Sequence, residues 1–222
     1  MCGRFAQPHS SEELARIFRA RPTVELPGQR FNVAPTDEVA GVVEHHGERV
    51  IEPFRWGLVP WYADDRKGAA RLINARAETV ETTPAFRTSF AKRRLLVPAA
   101  AFYEWHRVDG RREPFAIRRL DGDPLALGGV WAVWRDPETG ERVYTCSILT
   151  TVPNALVSPI HNRMPVILDP DTWDTWLSGE TALADLRSLL FPFPAEELEA
   201  YSVSAAVNNV RNDGAELLER TG

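Results

Sequence analysis

The sequence predicts an α+β domain, a curved and mainly antiparallel sheet or open barrel flanked by helices. Three observations predict it. Apolar, strand-like runs follow one another through the middle of the chain, separated by Asp-Gly and Thr-Gly turn signals. Helical periodicity is confined to short segments near the N-terminus, around residues 84–92 and after residue 168. Neither a βαβ repeat nor a glycine-rich phosphate loop interrupts this pattern.

Taken in order, Ser10-Ser11-Glu12-Glu13 opens a helix with a capping-box start, and Leu14, Ile17 and Phe18 share its apolar face. EVAGVVEHH and RVIEPFRW form a hairpin about Gly47. A helix over Pro84 to Lys92 leads into LLVPAAAFYEWHR, RREPFAIRRL, PLALGGVWAVWRD and RVYTCSILTT. Their turns are Asp109-Gly110, Asp121-Gly122 and Thr139-Gly140. Helices return in DPDTWDTWLSG, with Gly179 as its stop, and in ETALADLRSLL. No low-complexity segment, repeat or long linker divides the chain, so residues 1–222 are expected to form one domain.

Composition narrows the function classes. A chain of 222 residues with 44% hydrophobic and 26% charged residues is an ordinary globular sequence. Its apolar runs are too short to span a bilayer, and the first twenty residues lack the apolar core of a secretory signal. A cytoplasmic, membrane-free protein is expected. Two cysteines, Cys2 and Cys146, exclude a disulfide framework and a cysteine-rich zinc site. No metal or cofactor is expected. The net charge of −5 argues against a general electrostatic grip on duplex DNA while leaving room for a locally basic groove.

Several polar residues stand out. Cys146, within a strand-like run, reads as a small buried hydrophobe, whereas Cys2 directly follows the initiator Met and precedes the small Gly3. Removal of Met1 would place a free α-amine and a thiol on one residue. In FYEWH, alternation puts Glu104 on the face opposite Tyr103 and Trp105. Carboxylates are mostly exposed, so a solvated outer-face Glu stands beside a partly desolvated general acid. His161 lies between Pro159 and Pro165, which stiffen the backbone presenting it. Asn74 and Arg76 share a strand face, and Arg76 suits phosphate. RFNVAPT and WGLVPWY add Asn32, Pro35, Trp56 and Trp61 in turn-rich, aromatic surroundings suited to stacking on single-stranded nucleic acid.

Together and in this order, MCGRF, FNVAP, WGLVP, INARAE, FYEW, IHNRMPVIL and YSVSAAVNNVRND resemble the SOS-response-associated peptidase (SRAP) family, from Cys2 to about Asn212. The resemblance implies a monomeric SRAP domain that protects abasic sites in single-stranded DNA during the DNA damage response. It implies a covalent crosslink through the N-terminal Cys after Met removal, with autoprocessing peptidase (hydrolase) and lyase-type activity. Carried over by position, Cys2 is the crosslinking residue, Asn74 its polar contact, and Glu104 and His161 move protons. Arg4, Asn32, Arg76 and Arg163 meet the DNA backbone, and Pro35 wedges beside the lesion. The family commonly spaces WG-x-x-P-x-W; here Trp61 comes one place early and Tyr62 takes the usual site, leaving open which ring stacks.

The chemistry favours such a residue. An α-amine titrates about two to three pH units below a lysine, so it is more often neutral and nucleophilic toward an aldehyde. A thiol on the same residue can trap the resulting imine as a five-membered ring at high effective concentration. An N-terminal-nucleophile amidohydrolase also uses a Cys in this position, as does a self-processing cysteine peptidase; these are the alternatives.

Overall fold

The computed structural model describes residues 2–221. In chain order its strands and helices are β1 (Phe5–Gln7), α1 (Ser11–Phe18), β2 (Arg21–Pro22), β3 (Arg30–Val33), β4 (Glu38–His45), β5 (Glu48–Trp56), β6 (Asn74–Arg76), α2 (Arg87–Lys92), β7 (Arg94–Ala99), β8 (Ala101–Val108), β9 (Arg111–Arg119), β10 (Leu125–Arg135), β11 (Arg142–Thr151), β12 (Met164–Pro165), α3 (Trp173–Leu177), α4 (Leu183–Arg187) and β13 (Leu198–Ser202).

The expected α+β class holds, and the strands divide between two sheets. One is a five-stranded antiparallel sheet in the order β13-β9-β8-β1-β3. The other runs β12-β11-β10-β7-β4-β5-β2, and here the barrel closes. A parallel pairing of β11 with β5, Cys146 opposite Trp56, completes the ring β5-β4-β7-β10-β11. β6 then continues along the same edge of β11, with Asn74 opposite Ile148 and Arg76 opposite Thr150. The chain between β5 and β6 is therefore an excursion from the barrel wall. It starts at Gly57, whose φ of 128° is open to glycine and whose added Cβ would lie 2.8 Å from the Ala69 carbonyl oxygen.

The apolar run LLVPAAAFYEW, continuous in sequence, changes sheets at Ala100: β7 belongs to the barrel and β8 to the five-stranded sheet. Gln7 stitches the two layers. Its side-chain amide donates to the carbonyls of Ala40 and Pro98, at 3.0 and 2.8 Å, and its oxygen accepts from the Ala40 amide at 2.8 Å. Phe5 and Phe102 of the sheet share one buried cluster with Trp56, Val97 and Cys146 of the barrel. Leu96, on the opposite face of β7, packs with Phe18 of α1, Phe90 of α2, Trp176 of α3 and Leu186 of α4.

Local expectations largely hold. Ser10 and Glu13 form the reciprocal capping box of α1, and Leu14 and Phe18 are its buried face. Gly47, Gly110, Gly122 and Gly140 all take positive φ in their turns. Three helices are shorter than expected, α4 keeping only Leu183–Arg187 of ETALADLRSLL. Residues 84–86 stay outside α2, which begins at Arg87 with Phe86 as its N-cap and no side-chain cap bond. α3 stops at an extended Ser178 rather than in a left-handed Gly179. Among the described residues no helix is long and apolar enough to cross a membrane.

Candidate functional site

The site forms where β1, β6, β8 and the loop before β12 converge. β1 pairs with β8 through Phe5 opposite Phe102, and the Tyr103 amide donates to the Arg4 carbonyl at 2.9 Å. The backbone just before β1 thus runs along β8 beside Glu104. Cys2 is fully buried in the core between the two sheets. Asn74, presented by β6, donates from Nδ2 to the Cys2 carbonyl at 2.8 Å. That bond fixes the N-terminal segment by a side chain that does not titrate.

Glu104 lies on the core face of β8 and is only 3% exposed, so the desolvated alternative is the one found. Tyr103, on the opposite face, is buried with its hydroxyl donating to the Phe31 carbonyl at 2.9 Å. Burial pushes the Glu104 carboxyl up to about 7, so near neutral pH it is divided between acid and base forms. Burial also pushes the Cys2 thiol well above its ordinary range, and the Glu104 carboxylate adds to that rise. The site therefore holds a neutral thiol in the field of a carboxyl that is divided between its acid and base forms near neutral pH.

His161 Nδ1 stands 3.8 Å from Glu104 Oε1. Burial lowers the imidazole pKa, favouring the neutral ring. In that form Nδ1 accepts from the Arg163 amide at 3.0 Å, leaving a proton on Nε2; a protonated Nδ1 can donate to the Arg163 carbonyl at 3.1 Å. Arg163's backbone serves either state. Glu104 and His161 both line an open pocket of about 520 Å³, with Trp105, Arg107, Arg112 and Pro159. Among the described residues no cluster of His, Cys, Asp or Glu could hold a metal ion.

The residues expected to meet DNA fall into four groups. Arg76 is exposed at the end of β6, and Trp61 and Tyr62 stand out from the excursion, 68% and 50% exposed, with their rings edge to face at 5.6 Å. Arg4 and Arg163 are engaged. Arg4 donates to Asn32 Oδ1 at 2.7 Å and to the Val207 carbonyl at 2.8 Å, and it lies over the Trp105 ring. Arg163 forks onto Glu78 and donates to the Thr150 carbonyl. Asn32 is fully buried, and its amide donates to the carbonyls of Val207, Asn209 and Asn212. It holds Arg4 and the C-terminal segment in place and presents no amide to solvent. Pro35 is half-buried ahead of Thr36, a β-branched residue held at a φ of 80°.

Arg107 and Arg112 were absent from the expected set. Their signal was present: an Asp109-Gly110 turn fixes a register that brings Arg107 opposite Arg112. The Trp105 indole, donating to Asn208 Oδ1 at 2.6 Å, likewise ties the site to the C-terminal segment.

Comparison with known proteins places this geometry in a family. The family model described as SOS response associated peptidase (SRAP) matches residues 1–210. The chain is 38% identical to "Abasic site processing protein YoqW" of Bacillus subtilis (strain 168), with 99% of each covered. It is 31% identical to "Abasic site processing protein YedK" of Escherichia coli (strain K12), again with 99% of each covered. A crystal structure of a Bacteroides thetaiotaomicron protein superposes with a TM-score of 0.90 at 25% identity, covering 99% of this chain and all of that one. A family match over nearly the whole chain, with relatives above 30% identity along their full length, settles membership: the chain belongs to the SOS response associated peptidase (SRAP) family.

Proposed function

We propose that this protein is an abasic-site processing protein acting on single-stranded DNA. Once Met1 is removed, Cys2 forms a covalent thiazolidine crosslink with the ring-opened sugar and shields the lesion during repair. The observation that carries the reading is the convergence of buried Cys2 and Glu104 with half-buried Asn74 and His161 in one site, with Glu104 poised near neutrality. The names of the full-length relatives support the substrate.

The steps balance. The neutral α-amine of Cys2 adds to the aldehyde carbon, and loss of one water leaves an imine. The Cys2 sulfur then adds to the imine carbon, its proton passes to the ring nitrogen, and a C–S bond closes the five-membered ring. Because the thiol is held protonated by burial, the amine attacks first and Glu104 relays the thiol proton afterwards. His161, neutral and proton-bearing at Nε2, serves the sugar oxygen as the furanose opens. Asn74 positions the reagent.

Trp61 or Tyr62 stacks on a base, and Arg76 meets the backbone. The 222 residues act as one SRAP domain, as a cytoplasmic monomer. Removal of Met1 is the autoprocessing step, and a lyase-type outcome follows where the imine eliminates the 3′ phosphate before the thiol closes. The test is incubation of Met-processed protein with a single-stranded oligonucleotide carrying one abasic site, followed by a denaturing gel. A heat-stable, Cys2-dependent shift is expected; its absence refutes the crosslink.

A further inference from the structure

The geometry points to a phosphodiester subsite at the outer end of the β8–β9 hairpin, where Arg107 and Arg112 clamp the DNA backbone flanking the reacting nucleotide. This rests on the abasic-site reading above and extends it to residues given no part there.

Arg107 and Arg112 are directly opposite each other across the antiparallel pair, held in register by the Asp109-Gly110 turn, where both residues take positive φ. Like charges facing each other across two strands repel and weaken the pairing. Both side chains are exposed, and among the described residues neither makes a salt bridge. The nearest acid on β9, Glu113, is opposite His106 and so lies on the other face of the hairpin. Elsewhere this chain ties arginines to carboxylates, as in Arg163 with Glu78 and Arg187 with Glu81. An anion between the two guanidinium groups turns the repulsion into a two-sided grip, with planar forks suited to phosphate oxygens.

Position makes that anion a DNA phosphate. Both arginines line the same 520 Å³ pocket as Glu104 and His161. Arg107 is close enough for its charge to contribute, after burial, to the lowered pKa of His161. A sugar held at Glu104 and His161 brings its two phosphates with it, and those need positive charge nearby. Arg163 is committed to Glu78, and Arg4 to Asn32 and Val207. The hairpin supplies uncommitted charge to a protein whose net charge is −5. Trp105, on the same face of β8 as Arg107, sits beneath the Arg4 guanidinium 5.8 Å from its ring centre, so the stripe also offers an aromatic surface.

The test measures binding of a single-stranded oligonucleotide with a tetrahydrofuran abasic analogue, which has no aldehyde and cannot crosslink. Wild type, the Arg107→Gln/Arg112→Gln double variant and the Arg107→Lys/Arg112→Lys double variant are compared across a salt series. The Gln variant should bind roughly tenfold or more weakly at low salt. Its log K against log salt slope should be shallower by at least about 0.7, the share of one single-strand phosphate contact. The Lys variant should keep the slope, since it keeps the charge, while losing affinity with the fork. Crosslinking to true abasic DNA should show the Gln loss mainly in the half-saturating DNA concentration. Unchanged affinity and slope overturn the subsite, as does a lowered maximal crosslinking rate with the slope intact. Wild type that binds the analogue but forms no adduct refutes the crosslinking reading alone, and wild type that binds no DNA refutes both.

Discussion

The two cysteines are both completely buried, both in the core between barrel and sheet, and both have thiols pushed far above their ordinary range. Cys146 sits in the barrel wall opposite Trp56, and burial alone accounts for its shift. Cys2 sits at the margin of the five-stranded sheet, held by Asn74 through its carbonyl and exposed to the field of Glu104. A burial measurement cannot tell them apart; their neighbours can. The proposed reactivity of Cys2 rests on those neighbours, the Asn74 clamp and the Glu104 carboxyl, and Cys146 in the barrel wall has neither.

The largest expected effect breaks that comparison outright. Cys2→Ala should abolish the crosslink, whereas Cys146→Ala should crosslink as wild type and lose only about 1 kcal/mol of stability, the scale of a small core truncation. Urea unfolding and a denaturing gel read the two arms. Glu104→Gln comes next: removing a general acid–base group should slow crosslinking by about a hundredfold without weakening binding of the abasic analogue. In wild type the rate should rise with pH through about 7, as Glu104 loses its proton, and the Gln variant should lose that limb.

Stability carries the opposite sign. Glu104 holds its proton more tightly folded than unfolded. Its contribution to folding is therefore fullest below its unfolded pKa and is lost as pH rises through about 7. The Tm of Glu104→Gln relative to wild type should accordingly increase between about pH 5 and pH 8; a difference that falls over this range contradicts the buried, raised carboxyl. Single substitutions of Trp61 and Tyr62 by Ala come next, and the ring that stacks should cost about tenfold in affinity while the other costs little. Smallest is Asn74→Ala, which removes one hydrogen bond worth about 1 kcal/mol and should slow crosslinking roughly fivefold with affinity unchanged.

Local features were legible in the sequence because their causes are local. The capping box of α1 needs residues 10–13 alone, and the hairpin register about Asp109-Gly110 follows from the turn. Alternation correctly put Glu104 opposite Tyr103 and Trp105. It could not say that the Glu104 face would be the covered one, because the cover is the barrel, joined to β8 by the change of sheet at Ala100. The same limit hid the closure of the barrel, which depends on β5 and β11 meeting in parallel from distant parts of the chain. It also hid Asn32, whose acceptors lie in the segment 207–212. The pairing of Arg163 with Glu78, which follows β6, is likewise between distant parts of the chain.

The central claim is that amine and thiol of one residue are both consumed. Mass analysis of the N-terminal tryptic peptide after reaction with abasic DNA, followed by thiol alkylation, tests it most directly. The account predicts a peptide starting at Cys2, carrying the sugar remnant with the loss of one water, and resistant to alkylation. An adduct whose Cys2 thiol still alkylates, or one carried by any other residue, would contradict it.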